Sequence, residues 1–471
     1  MTRKIHRRSR AHERPVSPES DSGSGWLISV LALGVFACGG DAGNDRNVLF
    51  LVVDTLRADH LGVYGYERPV SPEIDAWATR GAIFDRATAT SPWTLPSFGS
   101  LFTGQLPSRH AAGLVAPGPQ GERAFVQLDG SVPTLAEILG EHGYETVAIL
   151  NNPFLHPSFQ LGRGFETYDY VPGDNATIRR ANVIVDRTLR FFDQRDGRPF
   201  FLVAHFFDPH MNYDPPIAVS GRFKDGYAGP IRLPITDLKG IRTGTLALDA
   251  ADREFVVAAY DEEVFFVDVQ IGRLLEGMRT RGLLDDTVIV LVSDHGEELW
   301  DHGGFEHGHT LYQELLHVPL VIWGPQVQSR RIASPVSIED VFPTVLEALE
   351  LGVPEGITGR SLWPALTRAE PVAPRLLVAE ANLYGPERKT LIRWPHKVVL
   401  NVVTRQRHLY DLASDPGEKV DLAAKNGALL NELLTELQGV LRTANRDRIR
   451  EQAATLDAET KEQLRALGYL D

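Results

Sequence analysis

The sequence of 471 residues holds a single cysteine, Cys38, so no disulfide within the chain can brace the fold. It also lacks an apolar run of the roughly 20 residues that a membrane-spanning helix needs. The stretch WLISVLALGVFA, Trp26 to Ala37, is too short for that. Positive charge is in deficit, with 48 Lys and Arg against 62 Asp and Glu and a net charge of −14. That balance argues against nucleic-acid binding and against docking of a basic surface on anionic lipid. Internal repeats and long low-complexity tracts are absent too. What remains is a chain 43% apolar, enough for a sizeable enzyme core.

The basic side chains that are present include six at positions 3–14, just ahead of the Trp26–Ala37 stretch. That order and length describe the core of a signal peptide spanning residues 1–37. VFAC resembles a bacterial lipobox, with the small Ala37 before the cysteine and Phe36 as a bulky departure. Cys38 is then the lipid-bearing residue of an exported, membrane-anchored protein, and residues 38–46 a flexible tether. The alternative is an ordinary secretory signal and a periplasmic or secreted product. Loss of residues 1–37, six basic against three acidic side chains, takes the charge from −14 to −17.

Two segments carry acids where a sheet would present them. In NVLFLVVDTLRADHLG the run Val48 to Val53 reads as a buried strand with Asp54 at its carboxyl end. In DTVIVLVSDHGEELWDHGG, Val288 to Val292 repeats the pattern and Asp294 and His295 follow. Open α/β sheets bind ligands at the carboxyl ends of their strands. A third segment, SPWTLPSFGSLFTG, places Thr94 just ahead of a short helix with Pro96 in its first turn and Gly104 at its end. A helix start favours an anion beside that hydroxyl. Two acids, an imidazole and a hydroxyl make a candidate divalent-metal site with an activated nucleophile.

These segments, in order with FFDPHMNY, HGHTLYQELLHVPLVIWGP, VFPTVLEALELGVPEGITGRSLWPAL, HLYDLASDPGEKVDLA and the ending EQLRALGYL, resemble the sulfatase-like family of the alkaline phosphatase superfamily. The resemblance covers nearly everything after residue 46. It implies an α/β fold with a central, mostly parallel sheet flanked by helices over residues 47–365. A smaller C-terminal α+β subdomain, a small antiparallel sheet with helices, follows over 366–471. It also implies hydrolysis of sulfuric or phosphoric esters.

Three positions depart from the family pattern. Thr94 stands where formylglycine sulfatases carry Cys or Ser, Phe98 where they carry a supporting Arg, and Thr55 where a second acid follows the first strand. A formylglycine hydrate sheds sulfate by collapsing to the aldehyde, but a threonine ester must be released by a second displacement, which suits phosphorus. Threonine nucleophiles resemble those of nucleotide pyrophosphatases, phosphonate-ester hydrolases and lipoteichoic-acid synthases in the same superfamily. The ligand set implied by the synthases is Asp54, Thr94, Asp294 and His295, around one divalent ion. An imidazole and a missing carboxylate move the expectation from calcium or magnesium toward manganese or zinc.

The resemblance further implies substrate-facing histidines. His210 follows the apolar run Phe200 to Ala204 and corresponds to the histidine of a DPHxPY-like segment. His307 and His309 flank the place of a substrate lysine, and the sequence leaves open which turns inward. His205, His302 and Glu297 are candidates for orienting the ligands by hydrogen bonds. Helical spacing runs through Asn175 to Gln194, Asp249 to Met278 and Asn426 to Gln452. The Gly- and Pro-rich segment Pro215 to Thr245 reads as an insertion over the site. Thr94 favours phospho-esters among small, glycan-linked or lipid-linked anionic substrates. The competing readings are a transferase of phosphoryl head groups to envelope glycan or lipid, and a binding protein that keeps the fold without catalysis.

Overall fold

Buried apolar runs build the centre of the molecule. The structure, a computed structural model, describes residues 46–470 apart from 114, 118–122, 173–177, 225, 447–451 and 467–468. The expected signal peptide and Cys38 therefore lie outside the described residues, as does most of the expected tether. Among the described residues, no helix is long and apolar enough to cross a membrane.

Eight strands form the main sheet: β1 (Asn47–Val53), β2 (Ala82–Phe84), β3 (Glu145–Asn151), β4 (Thr167–Val171), β5 (Phe200–Phe206), β6 (Thr287–Val292), β7 (Leu320–Trp323) and β8 (Arg330–Ile332). Their order across the sheet is β8-β2-β7-β6-β1-β5-β3-β4. Only β7 runs against the others, pairing antiparallel with both β2 and β6. Every residue of β1, β5 and β6 is buried, as expected of strands covered on both faces. The helices Ala181–Gln194 and Ala250–Thr280 pack on each other, and the first also packs on β5.

The patterned helices are shorter than, or offset from, their sequence signals, for local reasons. The helix expected from Asn175 begins at Ala181, whose amide donates to the Asp208 carboxylate at 2.9 Å. Asp249 caps the long helix reciprocally with Asp252, so that helix starts at Ala250. The C-terminal helix is described as Gly427–Arg446 and does not reach Gln452. The Gln452 carbonyl instead accepts from Gln127 N–H at 3.0 Å, and Ala453 bridges Val126.

A four-stranded antiparallel sheet follows: Leu377–Ala379, Arg388–Arg393, His396–Asn401 and Arg407–Asp411, in chain order. Leu391, Val398 and Leu409 of this sheet pack with Leu433 and Leu437 of the helix Gly427–Arg446 in a separate small core. The subdomain does not own all of residues 366–471. Leu464 and Tyr469, on and after the helix Ala458–Ala466, belong to the main core.

Candidate active site

Four neighbouring strands, β6, β1, β5 and β3, deliver their carboxyl ends to one place. They are followed by Asp294 and His295, Asp54 and Thr55, Asp208 and His210, and Asn152, in that order. Ser293 ties two of these exits together. Its hydroxyl accepts from Leu56 N–H at 3.0 Å and donates to the His295 carbonyl at 2.6 Å.

Thr94 arrives on a separate, wholly buried helix, Thr94–Thr103. Trp93 before it is extended, and Gly104 after it is left-handed at φ 65°, its N–H closing on the Ser100 carbonyl at 2.8 Å. Thr94 is thus the first residue of the helix rather than the residue before it. Pro96 still falls in the first turn, where its missing N–H leaves no bond unmade. Gly99 is required by close approach, since a Cβ there would lie 2.4 Å from the His110 ring.

Asp54, Asp294 and His295 each offer a ligand atom within 4.8 Å of the others, and all three are fully buried. His295 Nε2 stands 3.5 Å from Asp54 Oδ1, 3.5 Å from Asp294 Oδ2 and 3.4 Å from Thr94 Oγ1. The opposite nitrogen, Nδ1, donates to the Gly296 carbonyl at 2.9 Å, which turns the Nε2 lone pair toward the two carboxylates. Asp54 Oδ1 and Asp294 Oδ2 are buried without a hydrogen-bond donor. Converging lone pairs in a buried site are costly without a cation, and these donors suit one.

The electrostatics agree. Burial, then the charge of Asp54, pushes the Asp294 carboxyl well above its usual range. Burial works in the same direction on Asp54, but His210, His205 and His295 outweigh it and hold that carboxyl well below. Burial, then His307, lowers His295 to about 3, so its imidazole is neutral and available as a ligand.

The other sequence-predicted residues divide. His205 Nδ1 accepts from Asn151 N–H at 3.4 Å, which leaves Nε2 facing Asp54 Oδ2 at 3.3 Å. His307 is 2% exposed and its ring centroid lies 4.6 Å from that of His295. Glu297 orients it, accepting from His307 Nδ1 at 2.9 Å and from the Tyr213 hydroxyl at 3.0 Å. Burial raises Glu297 to about 7. Gly308, at φ 85°, turns the chain so that His309 pairs with Glu298 at 2.8 Å instead. His210 is buried against His307, ring centroids 5.0 Å apart. His302 does not join the cluster, because Nδ1 is spent on Glu314 at 2.6 Å and Nε2 on the Glu418 carbonyl at 3.3 Å.

Two contributors escaped the sequence reading. Asn152 Nδ2 donates to Asp54 Oδ2 at 2.8 Å and to Thr94 Oγ1 at 3.2 Å. Its signal was available, since it follows the strand TVAILN at the same sheet edge as the two acids. Tyr469 places its hydroxyl 3.0 Å from His210 Nε2 and 3.3 Å from His307 Nε2. No spacing in the sequence indicates that.

The departures from the family pattern also have places. Phe98 is fully buried, edge-on to Phe102 and His205 at 5.4 and 5.3 Å. Thr55 sits at φ 55° and its carbonyl accepts from Tyr260 at 2.9 Å. Arg242, from the segment Pro215 to Thr245, pairs with Glu306 next to His307. A cavity of about 200 Å³ opens beside His210, lined among others by Arg180, Tyr213, Asp214 and Glu263. Larger cavities, of about 340 and 370 Å³, lie around Trp394 and hold none of the site residues.

A family model described as Sulfatase matches residues 46–351. A sulfatase of Formosa agariphila is 24% identical over 466 residues, covering 88% of this chain and 88% of its own. A Delta 4,5-hexuronate-2-O-sulfatase of Bacteroides thetaiotaomicron is 24% identical over 461 residues, covering 86% and 92%. Among solved structures, the phosphonate monoester hydrolase of Agrobacterium radiobacter shares the fold at a TM-score of 0.69 and 20% identity, covering 88% of this chain and 98% of that one. With the fold, the match over more than half its length and the buried Asp54–Asp294–His295 cluster in agreement, the chain is an ester-bond hydrolase and belongs to the sulfatase family of the alkaline phosphatase superfamily.

Proposed function

We propose that the protein is an exported, metal-dependent hydrolase of phosphate-type esters with Thr94 as its nucleophile. The observation that carries this reading is the position of the Thr94 hydroxyl, 3.4 Å from His295 Nε2 and 3.2 Å from Asn152 Nδ2, at the edge of a buried three-ligand cluster. A divalent cation held by Asp54, Thr94, Asp294 and His295 would neutralise the substrate's charge and lower the pKa of the hydroxyl. One nitrogen ligand and few carboxylates favour manganese or zinc over calcium or magnesium.

The protein's own groups perform the remaining work. Thr94 Oγ1 attacks the phosphorus in line and the bond to the leaving oxygen breaks. Asn152 orients both the nucleophile and Asp54. His307, held by Glu297, and His210, which lines the adjoining cavity, stand beside the substrate and shape the space that receives it. Water then displaces Thr94 from the intermediate, a second attack at the same centre that phosphorus accepts more readily than a sulfuryl ester. The cavity beside His210 receives the organic part of the substrate.

The test is hydrolysis of aryl phosphate, phosphodiester, phosphonate and sulfate esters by the form beginning after Cys38, with each divalent metal, beside Thr94→Ala and Asp294→Ala. Metal-dependent turnover of phospho-esters that both changes abolish is the expected result. Activity surviving Thr94→Ala removes the nucleophile.

Export and anchoring rest on the sequence before residue 46. The basic segment, the apolar Trp26–Ala37 core and the Ala37–Cys38 junction support a lipid-anchored product at the cell envelope. Cys38→Ser should move the protein from the membrane to the soluble fraction, and unchanged fractionation would refute the anchor.

A further inference from the structure

We propose that Tyr469 is a positioning residue, fixing the two histidines that face the substrate through one shared hydroxyl. The proposal rests on the reading of His210 and His307 given above. Tyr469 is 1% exposed and lies far in sequence from everything else in the site. Its segment is fastened to the catalytic part at several points. Gln127 N–H donates to the Gln452 carbonyl at 3.0 Å and Ala454 N–H to the Phe125 carbonyl at 2.8 Å. After the helix Ala458–Ala466 the chain folds back, Tyr469 N–H donating to the Leu464 carbonyl at 2.7 Å.

The ring is held independently of the hydroxyl. It packs edge-on to Phe154, centroids 4.7 Å apart, and parallel to Tyr384 at 6.5 Å. Phe154 N–H in turn donates to Asn152 Oδ1 at 2.8 Å, so the tyrosine leans on the same loop that orients Thr94. The phenol therefore reaches the histidines from a rigid support.

Each imidazole faces the phenol with the same atom. His210 Nδ1 meets the Met211 carbonyl at 3.0 Å and His307 Nδ1 meets Glu297 Oε1 at 2.9 Å. Both partners are acceptors, so Nδ1 carries the proton in each ring and Nε2 points to the Tyr469 oxygen. That oxygen gives its one proton to one Nε2 at a time, and its lone pairs accept from the other when that nitrogen is protonated as well. It sets both ring planes at once, 61° apart. Without it, two buried Nε2 atoms lose their shared partner and each ring is fixed at one end only.

Tyr469→Phe removes the oxygen and keeps the ring. For esters the wild type hydrolyses, kcat should fall about 10- to 100-fold, the range for loss of a group that orients a working side chain. KM should change less than about threefold and the melting temperature should stay. A group acting only through the histidines should add nothing once one is gone, so Tyr469→Phe should cost much less in a His307→Ala background. Additive losses, unchanged turnover or faster turnover would overturn the proposal. A second readout needs no activity: nitrogen-15 spectra of histidine-labelled protein should show the Nε2 signals of His210 and His307 moving in Tyr469→Phe, or with a fluorinated tyrosine at 469 that preserves the packing. Unmoved signals overturn the proposal. If the wild type hydrolyses no ester, the hydrolase reading fails while the spectra still decide whether Tyr469 fixes the histidines.

Discussion

The side-chain amide of Asn152 donates to the Asp54 carboxylate at 2.8 Å, and the same nitrogen reaches the Thr94 hydroxyl at 3.2 Å. In the proposed mechanism, one donor thus couples an acid that would hold the metal to the hydroxyl that would attack. Asn152→Ala should reduce kcat/KM about 10- to 100-fold and weaken metal binding by a similar factor. Steady-state kinetics over a metal titration would separate the two, and a variant with wild-type kinetics at every metal concentration would contradict the coupling.

Thr94→Ala should lower kcat by roughly 10³- to 10⁶-fold, the scale for removing a nucleophile. Thr94→Ser keeps the hydroxyl and should retain measurable turnover. Both variants should melt near the wild type, since the helix Thr94–Thr103 is held by its buried apolar side chains. Intact-mass analysis after rapid quenching should find the phosphorylated intermediate on the wild type and none on Thr94→Ala.

Asp294 and Asp54 face each other across a buried space, and that proximity should be visible in stability. Cation at about 100 times its Kd should stabilise the wild type by ~2.7 kcal/mol. Asp294→Asn removes one of two repelling carboxylates, so the metal-free variant should melt at or above the metal-free wild type and gain little from added cation. Thermal melts with and without a chelator give both comparisons.

His110 supplies a pH prediction away from the candidate metal centre. Its ring is fully buried, Nδ1 accepting from Ala112 N–H at 3.1 Å and Nε2 meeting Ser100 Oγ at 3.2 Å. Burial lowers its pKa from 6.5 to about 4, against the opposing charge of Glu380. The unfolded chain then binds the proton first, so stability is full above pH 6.5 and falls as pH drops toward 4. The loss attributable to this group is about 3 kcal/mol. His110→Gln should flatten the stability profile across that window in denaturant titrations at stepped pH.

Much of the site was legible because burial and strand polarity are written in local sequence. Six apolar residues before Asp54 and five before Ser293 mark strands covered on both faces, and strand exits are where acids can converge. The choice between His307 and His309 was not legible, because it depends on the left-handed turn at Gly308 and on which carboxylate each ring meets. His302 was misplaced for a related reason. Its stacking on Tyr312 and its bond to Glu314 come from a segment whose approach no spacing encodes. Asn152 ends the strand-like TVAILNN, where nothing sets it apart from its neighbour Asn151, and Tyr469 could be found only by folding the chain.

The pairing of β1 with β6 sets residue 47 beside residue 287. The two acids of the candidate metal centre ride on that single contact. Loop closure over such a separation is slow, and neither acid meets the other until it is complete. Refolding should restore helical signal first and cation affinity last, so a bound metal ion would report the arrival of long-range order.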